Sequence, residues 1–398
     1  MANTYYPIAT LENDILSLAF AGVGGFSPEA LEGFIDETLS QFNRLDIPGY
    51  TWARPQDEFF YEQVVTKLPL NPMAQYVDWQ SDPIPFGTEG AESYTGKIPR
   101  MKSVEIIDEE KAKNIAKTAK LLGSVAGMEA AQDELYIKLS TLFSSHENAV
   151  TYQRMQMNSK GEFAIVEKNN KNGIQNVKFP GHIPAANMIS MAGSKRWWTA
   201  LDVDGVTYIN EGADADPIAD MMQIVRNAKK KGLARGHFEV NTIFLDQILM
   251  HSKVIAYIGL VQRPELTPAQ QSAYAGILTR EARKAALESI VGARFQEFDN
   301  LVTVEVWNPQ KKALTREPFY AFENGSLSYV PDGNMGQFHT VSPYAIAGGQ
   351  YARFMNGLGL LTVEADYTHK VQTLTTELTT IALPSQPQFM WICRPCGA

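Results

Sequence analysis

Apolar positions recur at steps of three and four over residues 27–45, SPEALEGFIDETLSQFNRL. Leu31, Phe34, Ile35, Leu39 and Phe42 share one face of a helix. Ser27 suits the cap, Pro28 the first helical position and Glu29 the first turn. The same spacing in 106–143, through Ala112, Ile115, Ala119, Leu122, Ala126, Leu135, Leu139 and Leu142, predicts one very long helix. At up to about 35 residues it far exceeds the usual mean of about 11–12. Gly123 and Gly127 weaken its middle by roughly 1 kcal/mol each against Ala, which predicts a bend or a close packing contact there.

The period then shortens. Residues 151–179 carry strand and hairpin signals, with a turn at Asn172–Gly173. A clean helix is predicted over 214–232: Asp216 caps it, Pro217 leads it, Lys229–Lys231 fill its last turn and Gly232 stops it. A strand follows at 237–241 and a helix from Thr242 to about His251. Thr267–Pro268 opens another helix, and helical spacing continues to Gly292. Strands are predicted in 298–308, 318–330 and 360–368, and the apolar run 388–398 reads as a buried last strand.

Residues 79–104 fit neither period. Pro83, Pro85 and Pro99 with Gly87, Gly90 and Gly96 block a helix, yet Trp79, Ile84, Phe86, Tyr94 and Ile98 are too apolar for a free linker. Such a segment reads as an extended hairpin that leaves its own domain and is ordered by a neighbour.

Composition narrows the class. The chain has 398 residues, enough for about two to three domains. At 44% hydrophobic and 20% charged it can bury a large core, which excludes a disordered polar chain. Two Cys exclude a disulfide-stapled secreted fold. A net charge of −9 argues against a duplex-reading protein with a basic stripe. The opening residues have no basic stretch ahead of their apolar run and are not expected to act as a signal peptide. No run of about 20 apolar residues predicts a membrane span.

Candidate chemistry is sparse. The Gly22–Gly25 cluster lacks dinucleotide-binding spacing and reads as a turn before a capped helix. Cys393 and Cys396 form a single CxxC without a second pair, so two incidental thiols is the preferred reading over a metal or redox site. His146, His182, His237, His251, His339 and His369 show no metal-ligand spacing. Lys229–Lys231 are explained by their place at a helix end, and Arg196-Trp197-Trp198 read as aromatic core or interface. No catalytic, metal or cofactor site is expected.

The order of elements resembles the major capsid proteins of tailed bacteriophages, the Hong Kong 97 fold, and within it the lambda-type major head protein family. SDPIPFGTEGAESYTGKIPR, leading through MKSVEIIDEEKAKNI into the long helix, is similar to that family's extended loop and spine helix. DNLVTVEVWN followed by FENGSLSYVPDGNMGQF, with Val330 to Met335, resembles its late strand-and-insertion passage. The end, THKVQTLTTELTTIALPSQPQFMWICR, resembles its closing segment, with Leu383-Pro384 before a final strand. The chain departs from lambda's protein in extra helical sequence around 264–292, and no crosslinking lysine and asparagine pair is matched.

The resemblance implies an α+β fold with an N-terminal arm (1–78) and an extended loop (79–107). It also implies a peripheral domain with the spine helix (108–200 and 350–398) and an axial domain (201–349). It implies a non-enzymatic virion protein, assembled in the host bacterial cytoplasm as hexamers and pentamers. These would close an icosahedral head around double-stranded DNA held without sequence specificity. Scaffolding, portal and decoration proteins are the further partners it implies; a membrane is not among them. Trp79, Phe86, Tyr94, Lys97 and Arg100 are the expected intersubunit contacts. An encapsulin-like cargo shell, a cytoplasmic two-domain α/β enzyme and a tail or other virion structural protein are the alternatives. Deleting 82–98 is expected to leave a folded monomer that cannot assemble.

Overall fold

The computed structural model describes residues 28–39, 47–66, 91–107, 124–167, 169–170, 174–308, 313–344, 351–366 and 371–396, with Ala19, Glu110, Asn114 and Lys117. In chain order its first elements are α1 (Pro28–Thr38), β1 (Tyr50–Trp52), β2 (Phe60–Thr66), β3 (Ala91–Lys97), β4 (Arg100–Ile107) and α2 (Ser124–Lys160). Short strands β5 (Glu162–Ile165), β6 (Val177–Pro180), β7 (Met188–Ser190), β8 (Trp198–Leu201) and β9 (Tyr208–Glu211) follow. Next come α3 (Pro217–Lys230), β10 (Gly236–Asn241), α4 (Thr242–Met250), α5 (Ser252–Gln262), α6 (Pro268–Ile277) and α7 (Arg280–Val291). The rest is strand: β11 (Phe295–Phe298), β12 (Leu301–Asn308), β13 (Ala313–Tyr320), β14 (Leu327–Pro331), β15 (Gly336–Thr340), β16 (Tyr351–Phe354), β17 (Gly359–Asp366), β18 (Val371–Pro384) and β19 (Trp391–Arg394). The fold is α+β.

The chain forms two compact units, residues 1–61, 97–151 and 338–381, and residues 62–96, 152–337 and 382–398. The first is built on a six-stranded sheet, β1-β15-β18-β17-β16, with β4 also paired to β18. β18 can serve several partners because it is 14 residues long. It holds β17 antiparallel over 371–378 and β4 antiparallel over 372–379. Leu374 and Leu378 on one face of it are fully buried. Helix α1 buries Leu31 and Ile35, as its spacing predicts, with Leu39 just beyond its end. Glu32 of α1 accepts a hydrogen bond from the backbone N–H of Arg353 on the edge strand β16, at 3.0 Å. A carboxylate thereby occupies a donor that an open sheet edge would otherwise present.

The second unit has a five-stranded mixed sheet, β11-β10-β14-β19-β7. The predicted last strand lies inside it: β19 pairs antiparallel with β14 and parallel with β7. Helices α3 to α7 supply the rest of its core, in which Trp197, Phe238, Phe244, Ile248, Leu327 and Cys393 are fully buried. The expected caps are present. Asp216 accepts from the Ala219 N–H at 3.0 Å, and Thr267 and Gln270 form a capping box. Gly232 and Gly292 take positive φ of 95° and 75° at the ends of α3 and α7. Sequence spacing does not predict α5, whose SKVIAYIGLVQ is too continuously apolar to show a stripe.

Two expectations are corrected. The long helix is described as Ser124–Lys160, 37 residues, and ends well beyond the expected 143, while Glu110, Asn114 and Lys117 of the expected span are helical too. Only the first two residues of the expected span belong to β4, where Ile106 and Ile107 pair with Thr373 and Gln372. Its end runs ten residues into the segment read as strand and stops at Gly161, φ 76°. The stretch 153–159 is buried at every position, with Gln153, Arg154, Gln156, Asn158 and Ser159 interleaved with Met155 and Met157, so no apolar stripe against a polar face marks it as a helix. The strands predicted after it are the antiparallel pair β5 and β6. The Asn172–Gly173 turn, Phe42, Gly123 and the Gly22–Gly25 cluster lie outside the described residues. No single helix among the described residues is long and apolar enough to cross a membrane.

Candidate functional site

Several residues that the sequence singles out have partners within the fold. Cys393 is fully buried in the second unit's core, and burial pushes its thiol well above the ordinary range. Burial likewise pushes Cys396 up to about 12. Thiols held protonated are poor nucleophiles and poor metal ligands. Trp197 is fully buried and donates its indole N–H to Asp220 at 2.8 Å, so the Arg-Trp-Trp segment is core. Lys231 donates to Asn187 Oδ1 at 2.6 Å and lies 4.8 Å from the centre of the Trp391 ring, so it is engaged within the fold. Among the described residues no group of three His, Cys, Asp or Glu could hold a metal ion.

Exposed apolar faces are more informative. The side chains of β4 alternate strictly. Arg100, Lys102, Val104 and Ile106 point outward, Val104 and Ile106 more than half exposed, while Ile98 and Ile107 bracket the strand as buried anchors. This face is fixed by pairing with β18, because a slip of one residue would turn Met101, Ser103 and Glu105 out instead. The inward set is satisfied: Glu105 accepts from Lys138 of α2 at 2.7 Å, and Ser103 shares a 2.6 Å hydrogen bond with Ser145. Strand β2 behaves similarly. Phe60 and Val64 are outward at 61% and 63% exposure while Tyr61 between them is buried. In the second unit the short helices leave Met250, Leu260, Val261 and Ile277 exposed.

Of the five expected contact residues, Trp79 and Phe86 lie outside the described residues. Tyr94, on β3, stacks on His182 with ring centroids 4.0 Å apart. Lys97 is exposed at the end of β3. Arg100 forms an ion pair with Glu377 on β18, and Lys102 approaches the same carboxylate at 3.5 Å. The structure therefore brings Arg100 together with Lys102 and gives Tyr94 a partner of its own. Sequence reasoning missed Phe60, Val64, Val104 and Ile106. Neither FYEQV nor RMKSVEII alternates cleanly between apolar and polar, so the sequence carries no local signal for these faces.

No protein-family model matches the chain, and no curated protein sequence matches it. Solved structures do. The chain is similar to a protein assigned as a prophage capsid protein in E. coli CFT073, at 13% identity and a TM-score of 0.49, over 93% of this chain and 99% of that one. It is similar to a phage-related protein from Bordetella bronchiseptica RB50, at 12% identity and a TM-score of 0.45, over 100% of this chain and 99% of that one. It is also similar to a chain of the satellite phage P4 procapsid that includes the size determination protein Sid, at 10% identity and a TM-score of 0.45, over 94% of each chain.

Proposed function

We propose that this chain is a shell-forming subunit, the major capsid protein of a tailed phage. In this reading copies assemble as hexamers and pentamers into an icosahedral head around double-stranded DNA. The observation that carries the reading is the outward face of β4, in which two cations lead into two β-branched apolar residues. The outward Phe60 and Val64 of β2 add to it. Contiguous exposed apolar side chains on rigid strands mark an association surface. Burying them against neighbouring copies contributes roughly 25 cal/mol per Å² before association costs. The residues 67–90 between β2 and β3 hold Trp79 and Phe86, the aromatic anchors assigned to the same contact. Scaffolding, portal and decoration proteins and assembly in the bacterial cytoplasm belong to the same proposal.

Negative-stain electron microscopy with light scattering tests it. The purified chain, alone and with virion partners, is expected to form closed shells or capsomer rings. A strictly monomeric or dimeric particle at high concentration, even with scaffold supplied, overturns it. Shell contents separate the two shell readings, nucleic acid for a phage head and a cargo protein for an encapsulin-like container. Deleting residues 82–98 is expected to leave a folded monomer, and normal shells from that variant would remove the loop from the contact.

A further inference from the structure

Helix α3 runs into β10, and helix α7 runs into β11. Strands β10 and β11 are parallel neighbours, with Phe238 beside Phe295, so both helices end at the same edge of the five-stranded sheet. Strand β14, antiparallel to β10, brings its own end to that edge, where Pro331 lies opposite Gly236. Backbone bonds pin the connections there. The Phe238 N–H donates to the Arg294 carbonyl at 2.8 Å, and the Asp332 N–H donates to the Arg235 carbonyl at 3.3 Å.

This edge collects cations. Arg226, Lys229 and Lys230 lie within one turn of each other on the exposed side of α3, and Arg235 and Arg294 are exposed in the two connections. Lys231 is not part of the set, because its ammonium is held by Asn187 and the Trp391 ring. Two carboxylates are near, and both are in use. Asp332 lies 2.7 Å from His237 and 3.5 Å from Arg294, and Glu288 accepts from the Phe295 N–H at 2.8 Å. Among the described residues Arg226, Lys229, Lys230 and Arg235 form no ion pair. The C-termini of α3 and α7 each carry about half a negative charge. Together with the two carboxylates they offset about three of the five cations, so roughly two positive charges are left unbalanced. Arg226 and Arg294 are far apart in sequence, so no basic run marks this ridge. The formal charge of −9 does not cancel it, since at physiological salt charges beyond about 8 Å are largely screened.

We infer that this ridge is a contact surface for the phosphate backbone of duplex DNA, bound without regard to sequence. Its chemistry separates DNA from an acidic protein. No large apolar side chain is exposed between Ile209 and Met250, or between Ile277 and Leu301. A protein partner would find none of the aromatic or aliphatic anchors that carry the energy of protein interfaces. A phosphate backbone needs only cations on a firm support. Arg226 is three and four residues from Lys229 and Lys230, a spacing that sets Cβ atoms about 5–6 Å apart and lets one helix face meet successive phosphates. The choice of DNA as the polyanion rests on the shell reading, and the place rests on the ridge alone.

Fluorescence anisotropy of the full chain with a labelled duplex of about 30 base pairs, titrated over about 50–200 mM NaCl, tests it. Binding is expected at a Kd of about 10⁻⁴–10⁻⁶ M, equal for two unrelated sequences. Log K should fall against log salt with a slope of about −4, at about 0.9 for each of the four unpaired cations. Lys229→Gln with Lys230→Gln and Arg235→Gln should flatten that slope by about three and weaken binding about tenfold or more, with an unchanged circular dichroism spectrum. Lys229→Gln with Lys230→Gln alone should flatten it by about two, which keeps the test if the triple variant folds poorly. Lys178→Gln with Lys195→Gln and Lys253→Gln removes the same charge from exposed positions of the same unit and should leave the slope as it was. An equal loss in that control, a flat salt dependence, or displacement of the duplex by poly-L-glutamate at equal charge concentration overturns the inference. Shells that fill with DNA equally well from the triple variant would refute the ridge alone, and ridge-dependent DNA binding by a chain that forms no shells would refute the shell reading alone.

Discussion

Arg154 and Glu239 form an ion pair at 2.6 Å with both side chains essentially excluded from water. Asn158, one helical turn beyond Arg154, donates to the other carboxylate oxygen of Glu239 at 2.6 Å. Arg154 also lies over the Phe298 ring at 4.9 Å. The C-terminal turns of α2 are therefore fastened to β10 of the five-stranded sheet by charge and hydrogen bonding, beside the apolar packing of Met155. Gln156 donating to the Ala321 carbonyl at 2.7 Å and Ser326 donating to the Ser159 carbonyl at 2.6 Å extend the same seam.

Glu239→Ala should accordingly destabilise the second unit by about 3–5 kcal/mol, because it strands a buried guanidinium. Arg154→Met with Glu239→Leu should recover most of that loss, since neither charge then needs a partner. Urea unfolding followed by tryptophan fluorescence measures both. A double variant as unstable as the single one would mean that packing, and not the stranded charge, sets the cost.

His146 is buried in the first unit, with Nε2 2.9 Å from Thr376 Oγ1 and its ring 5.8 Å from that of Phe354. Burial lowers its pKa to about 4, against an ordinary 6.5. The unfolded chain binds this proton more readily, so the contribution is complete above pH 6.5 and is lost as pH falls towards 4. Its full size is about 3 kcal/mol. His146→Gln keeps a polar partner for Thr376 but cannot titrate. It should flatten the fall in melting temperature between pH 6.5 and 4.5, whatever it does to stability at pH 7. An unchanged pH slope would assign the acid sensitivity to other groups.

What could be read in advance follows from where the specifying interactions sit. Asp216, Thr267 and Gly292 act within one turn of their own helix, so α3, α6 and the end of α7 were legible. Strand β19 was legible because FMWIC is apolar without interruption, although its pairing with β14 and β7 was not. The last turns of α2 were illegible because their partners, Glu239, Ala321 and Ser326, are more than 80 residues away in sequence and polar. Helix α5 begins at His251, whose Nδ1 accepts from the Lys253 N–H at 3.2 Å, a cap outside the usual set. At the candidate surface Tyr94 was named for an intersubunit contact, and the structure gives it His182. The outward faces of β2 and β4 depend on which residues β18 and the core claim first, which no local pattern states.

The two thiols offer a direct check on burial. With Cys393 fully buried and the Cys396 pKa near 12, thiolate is scarce at neutral pH. The folded chain should react with Ellman's reagent about a thousandfold more slowly at pH 7.5 than in 6 M guanidinium, where both thiols should titrate, since thiolate falls about tenfold for each unit that the pKa rises. A fast phase in the folded chain would place one thiol at the surface.

Two glycines in the helical hairpin of α5 and α6 should respond oppositely to the same substitution. An exposed helical glycine replaced by alanine gains about 1 kcal/mol from reduced backbone freedom and better helix propensity. Gly276, on α6, has nothing within 4 Å of where a Cβ would stand, so Gly276→Ala should raise the melting temperature. At Gly259, on α5, the Cβ would stand 2.3 Å from the backbone carbonyl oxygen of Gln271. That oxygen is part of the α6 backbone and cannot rotate away, so the helices would have to separate. Gln271 itself is buried and donates to the Arg263 carbonyl at 3.1 Å, and separating the helices would strain that bond as well. The cost of overpacking, about 1–3 kcal/mol or more, exceeds the propensity gain, and Gly259→Ala should lower the melting temperature. Thermal unfolding of the two single variants beside the wild type decides it. A stabilising Gly259→Ala would mean that α5 and α6 do not pack backbone to backbone.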